Sequence, residues 1–131
     1  MTQKMDKKVL QERTKSFAHR CLKLCLSLPD NWIGQHIRNQ LLRCATSVAA
    51  NYRSACMAQS VKAFTQKLGI SLEEADEASF WIEFVVEEGF LDKKHCLPLL
   101  QEARELTAIF IASQKTARKN AILKTDMKLK I

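Results

Sequence analysis

The sequence predicts an all-α protein, an antiparallel up-down four-helix bundle. Only 3 Gly and 2 Pro punctuate 131 residues, too few turn formers for a succession of β-hairpins. Large apolar residues recur at helical spacing in four successive segments. The 47% hydrophobic and 27% charged content is that of a globular chain and excludes a disordered one. One domain is expected over residues 1–119, a size able to bury about two thirds of its unfolded surface without a disulfide or metal.

The first helix is expected over about residues 6–28, with Leu10, Phe17, Cys21, Leu24 and Leu28 on one face and Lys8, Lys15, His19 and Lys23 opposite. Pro29 ends it, because proline disfavours the helical conformation in the residue before it. Asp30 and Asn31 are both good N-caps for a second helix over about 31–56, whose stripe is Ile33, Ile37, Leu41, Cys44, Val48, Tyr52 and Ala55. Ser60 caps a third, about 60–88, with Val61, Phe64, Leu68, Leu72, Ala75, Ile82 and Val86 inward and Gly89 placed as a C-cap glycine. The fourth runs over about 93–119 with Leu99, Ala103, Leu106, Phe110 and Ala117 inward; its start is either Lys93, capped by Asp92, or near Pro98. Residues 120–131 read as a basic, frayed and flexible tail.

The third helix carries a second face. Ile70, Phe80, Trp81 and Phe84 fall on the side away from its stripe, among Glu73, Glu77 and Glu88. A bundle has one central core, so this face is expected at a subunit interface. The alternative is that the aromatics fill grooves between this helix and its two neighbours.

Charge is unevenly spread. Residues 1–23 and 104–131 each carry net +5, and residues 24–103 carry −3. Basic ends favour a polyanion, through phosphate contacts that read charge and shape and not bases. The candidate nucleic-acid contacts are Arg13, Lys15, Arg20 and Lys23 on the first helix, Arg53 at the end of the second, and Lys115, Arg118 and Lys119 on the fourth. A solvated helix face is the plain alternative for each.

Neither a phosphate-binding glycine loop, a nucleophile elbow nor a zinc-protease helix motif is present, and no enzyme is expected. The five cysteines, Cys21, Cys25, Cys44, Cys56 and Cys96, have no CxxC spacing and read as reduced core residues. His19 points away from Cys21, so no metal site is expected. The acidic run Glu73, Glu74, Asp76 and Glu77 lacks the Glu-x-x-His of di-iron bundles. It reads as a solvated surface, or as a charged partner for basic residues on a neighbouring helix or subunit. Asn51 is either a buried amide satisfying backbone near the helix end or, with Arg53, part of a loop that touches a ligand. No cofactor is implied. No apolar run approaches the ~18 residues of a membrane span, and the expectation is a cytoplasmic protein with no membrane partner.

The stretch QLLRCATSVAANYRSACMAQSVKAFTQKLGISLEEADEASFWIEF resembles the signature region of the 23S rRNA intervening-sequence proteins, a four-helix-bundle family related to the accessory proteins of diversity-generating retroelements. The resemblance rests on Gln40-Leu41-Leu42-Arg43, Thr46-Ser47-Val48, Ala50-Asn51-Tyr52-Arg53, Ser60, Phe64, Lys67-Leu68-Gly69-Ile70, Glu73-Glu74-Ala75-Asp76-Glu77 and Trp81. With Leu28-Pro29 it covers Phe17 to Arg118. It implies a non-catalytic homo-oligomer, commonly a ring of five, with RNA or DNA, or a reverse transcriptase, as partner. Met57 and Gln59 stand where family members often carry basic residues, which shifts any polyanion contact here to the first and fourth helices. The function expected is an RNA-favoured nucleic-acid-binding accessory factor. The alternative is a protein-interaction scaffold, such as a reverse-transcriptase accessory subunit, without nucleic-acid affinity of its own.

Overall fold

The computed structural model describes residues 6–129, which form four α-helices and, among the described residues, no strand. α1 spans Lys7–Leu26, α2 Trp32–Cys56, α3 Val61–Glu87 and α4 Lys93–Leu129. Each starts on a side-chain cap that satisfies an otherwise unpaired backbone N–H. Asp6 accepts from Lys8 N at 2.9 Å, Asn31 from Gly34 N at 2.9 Å, Ser60 from Ala63 N at 3.1 Å and Asp92 from His95 N at 3.0 Å. α3 stops in a Schellman motif: Gly89 takes φ +69°, Phe90 N donates to Val85 O at 3.0 Å and Gly89 N to Val86 O at 3.1 Å. The cap on Asp92 settles the start of α4 at Lys93. Pro98 is tolerated in the second turn, where the carbonyl left without a donor belongs to exposed Lys94.

α2 packs on α1 and α3, and α3 on α4, while α1 touches α4 only lightly. Phe17, Ile37, Leu41, Leu68, Ile82, Leu106 and Phe110 are fully enclosed between them. Tyr52 stacks on Phe110 with ring centroids 5.7 Å apart. The buried hydroxyls are satisfied: Thr14 donates to Gln11 O at 2.9 Å, and Ser71 crosses from α3 to Val48 O of α2 at 3.0 Å.

Two expectations are corrected. Of the tail expected over 120–131, residues 120–129 form the last turns of α4, and residues 130–131 lie outside the described residues. After Pro98 the sequence has no glycine or proline and is rich in Ala, Lys and Leu, so nothing halts the helix. The inward line of α3 is also rotated relative to the one expected. Val61 is 41% exposed and Val86 half-buried, while Ser71, Ala78, Ser79 and Val85 are buried. Small residues at 75, 78 and 79 let α3 approach its neighbours closely, a signal that counting large apolar side chains does not see.

Candidate nucleic-acid interface

The outer side of α1 is a basic ridge between two clefts. On the α2 side, a groove of about 650 Å³ has Ala18, Leu22, Leu42, Ala49 and Ala50 among its walls, with Lys15, His19 and Arg53 at its edges. On the α4 side, a smaller cleft of about 250 Å³ brings Arg20 and Lys23 together with His95 over Leu24, Leu91 and Leu99. Four of the eight predicted cations thus gather around one helix. Lys115, Arg118 and Lys119 are exposed on α4 but lie apart from these clefts, past the Phe110 turn. Among the described residues none of these seven is in an ion pair.

Arg13 is the exception. Its guanidinium holds Glu102 of α4 in a fork, at 2.8 Å through Nε and 2.6 Å through Nη2, and reaches Glu105 at 3.5 Å. These bonds raise its pKa, against the opposing effect of burial. Arg13 therefore ties α1 to α4, with two carboxylates facing its charge. The reason is positional: α4 brings two glutamates opposite it, which a reading of α1 alone does not reveal.

The second face of α3 exists, but only part of it is open. Phe80 is 54% and Ile70 40% exposed. Trp81 and Phe84 are half-buried and pack on the core. Trp81 lies edge-on to Phe80 and to His36 of α2, with centroids 5.1 and 5.6 Å apart, and donates from Nε1 to Glu77 at 3.3 Å. Trp81 thus fills the α2–α3 groove, because its place on the helix turns it toward α2.

The acidic run divides similarly. Glu74 and Glu77 take Arg43 of α2 at 2.9 and 2.5 Å, whereas Glu73 and Asp76 face solvent. Glu77 also accepts from the Cys44 thiol at 2.7 Å. Burial, reinforced by this carboxylate, pushes the Cys44 thiol far up. The Glu77 carboxyl is held below its usual range by Cys44 first, then by Trp81 and Arg43. A depressed folded-state pKa gives stability that is present above the ordinary carboxylate range and lost as pH falls through the folded value. Glu77→Gln should therefore flatten the acid limb of a urea-midpoint profile between about pH 5 and 2, by less than about 1 kcal/mol given the exposure of the pair. An unchanged slope would assign that limb to other carboxylates.

Cys21, Cys25, Cys44 and Cys96 are buried and Cys56 half-buried, all as free thiols. Burial raises Cys25 to about 11. No three His, Cys, Asp or Glu among the described residues are placed to hold a metal ion. Asn51 lies inside α2, where its amide donates to Ser47 O at 3.0 Å and Ser47 Oγ at 2.9 Å. It satisfies backbone, one turn before the helix end. Among the described residues no helix is long and apolar enough to cross a membrane.

A family model described as 23S rRNA-intervening sequence protein matches residues 6–112, from the α1 cap to just past the last buried turn of α4. The chain belongs to that family. Among solved structures, the chain is similar to a protein of unknown function from the S23 ribosomal protein family of Bacteroides thetaiotaomicron. The two share 29% identity and a TM-score of 0.78, over 85% of this chain and 99% of that one. No curated protein matches the sequence. For this family member, the matched region contains the ridge, both clefts and the α3 face, while Lys115, Arg118 and Lys119 lie beyond it.

Proposed function

We propose that this family member is a non-enzymatic homo-oligomeric accessory factor that binds nucleic acid, RNA in preference to DNA, through phosphate contacts along the α1 ridge. The observation that carries this is the gathering of Lys15 and Arg53 at one cleft, which Glu12 also lines, and of Arg20 and Lys23 at the other, none of the four in an ion pair among the described residues. Cations free of ion pairs on both flanks of an exposed helix suit a backbone that is read by charge. The family name, which refers to intervening sequences of 23S rRNA, favours RNA. The open part of the α3 face, Phe80 with Ile70, is the oligomer interface in this reading, and a ring of five is the assembly the resemblance implies.

The test is fluorescence anisotropy with a structured RNA and a matched DNA duplex across a salt series. Log affinity should fall linearly with log salt, and Lys15→Glu with Arg53→Glu should weaken binding and reduce the slope by roughly one to two, the phosphates no longer neutralised. An unchanged affinity in that variant would displace the site from α1. No binding at low salt would leave a protein-docking scaffold, with a reverse transcriptase as the first partner to try.

A further inference from the structure

The groove between α1 and α2 is built for more than charge. Its walls are one stripe of each helix, from Gln11 to Leu22 on α1 and from Leu42 to Arg53 on α2. Either stripe makes a trough about 17 Å long, at 1.5 Å per residue. The register follows from the contact of Cys25 Sγ with Arg38 O, at 3.8 Å. Counted from there along the two antiparallel helices, Leu22 faces Leu42 at one end and Gln11 faces Arg53 at the other. The middle is hollow because Ala18, Ala49 and Ala50 line it, and their methyl groups leave space that longer side chains would fill. Its volume of about 650 Å³ lies within the ~300–1,000 Å³ of cavities that enclose a small ligand.

Two features are out of place in a site that meets phosphates alone. The floor is apolar and open to solvent, with Leu22 38% exposed and Leu42 half-buried. Glu12 lines the groove at the Gln11–Arg53 end, and its carboxylate repels a phosphate there. A duplex turns its bases inward and offers chiefly phosphates, so it would leave the floor facing water and set its charge against Glu12.

An unpaired strand supplies the missing chemistry. The faces of its bases are apolar and can bury on Leu22, Leu42 and the alanines. Base edges carry N–H donors that suit the Glu12 carboxylate. Thr46 Oγ1 already donates to Leu42 O at 2.8 Å, which leaves its lone pairs to accept from a base N–H. Lys15, His19 and Arg53 at the edges then take the phosphates between those bases. We infer that the α1–α2 groove holds unpaired nucleotides of single-stranded RNA, bases on the apolar floor and phosphates along the cationic edges. This rests on the reading of the α1 ridge as the nucleic-acid interface, and it narrows the ligand to loops, bulges and free ends. Arg20 and Lys23, at the smaller cleft, stay available to paired and unpaired RNA alike.

Fluorescence anisotropy tests this with one RNA of about 12 nucleotides, a length usual for single-strand sites, alone and in a duplex with its complement. At low salt the free strand should bind at least about tenfold more tightly than the duplex. Ala18→Leu with Ala50→Leu fills the trough and should remove most of that preference, while duplex affinity and its salt slope stay as in the wild type. Ala50 is exposed and Ala18 half-buried, so circular dichroism should be unchanged. Ala50→Leu alone, at the exposed position, should give part of the same loss. Equal affinity for strand and duplex, or a preference that survives both substitutions, overturns the groove assignment and leaves the phosphate contacts of the ridge standing. No binding of either form at low salt overturns both readings.

Discussion

Gly34→Ala should lower the unfolding free energy by about 3 kcal/mol. Gly34 is buried in the first turn of α2, where the chain doubles back from α1 through Pro29. A Cβ there would lie 1.8 Å from the Pro29 carbonyl oxygen and 2.9 Å from its carbon. Both atoms are backbone, so the turn itself must move. That carbonyl is also the acceptor for Arg38 Nη2 at 2.8 Å, and Gly34 N is the donor to the Asn31 cap at 2.9 Å. Moving the turn strains both bonds and the angle between α1 and α2. Gly69→Ala is the control: its Cβ meets only the tip of the Gln114 side chain, at 3.1 Å. There the ~1 kcal/mol gain in helix propensity should offset the adjustment. Urea denaturation of the two variants checks the contrast; similar midpoints would mean the turn relaxes freely.

Phe110→Ala should cost about 3–5 kcal/mol, the usual range for an enclosed aromatic in a core that cannot collapse. Phe110 is wholly buried, stacks on Tyr52 and is the last buried residue of α4. Its ring therefore joins α4 to the end of α2 and closes that end of the bundle. A fall in melting temperature of roughly 10–15 °C is expected for a domain of this size. Met127→Ala, farther along the same helix but 69% exposed, should move it by about a degree or two at most. Equal effects at the two positions would mean that the end of α4 is as much a part of the folded core as the Phe110 turn.

The four helices were legible because each announces itself twice. Pro29, Asn31, Ser60, Gly89 and Asp92 mark the boundaries, and the lines through Phe17, Leu41, Leu68 and Leu106 mark the inward faces. What the chain hides locally is pairing between helices. Arg13 and Arg43 look like any surface arginines until α4 and α3 bring Glu102 and Glu77 to them. Trp81 looks surplus to the core until His36 of α2 comes beside it. The end of α4 escaped for the opposite reason. Its periodic apolar line fades after Ala117, yet intrinsic propensity carries the helix on without packing. Of the candidate interface, the residues were legible as a charge pattern; their division into two clefts and one salt bridge needed the tertiary fold.

The light contact between α1 and α4 has a consequence for how the molecule breathes. α1 is the shortest helix, and it leans chiefly on α2. Its fork to Glu102 and the side chains lining the small cleft are most of what holds its other flank. Sub-global opening should therefore begin there, with α1 swinging away on the Pro29 turn while α2, α3 and α4 keep most of their mutual packing.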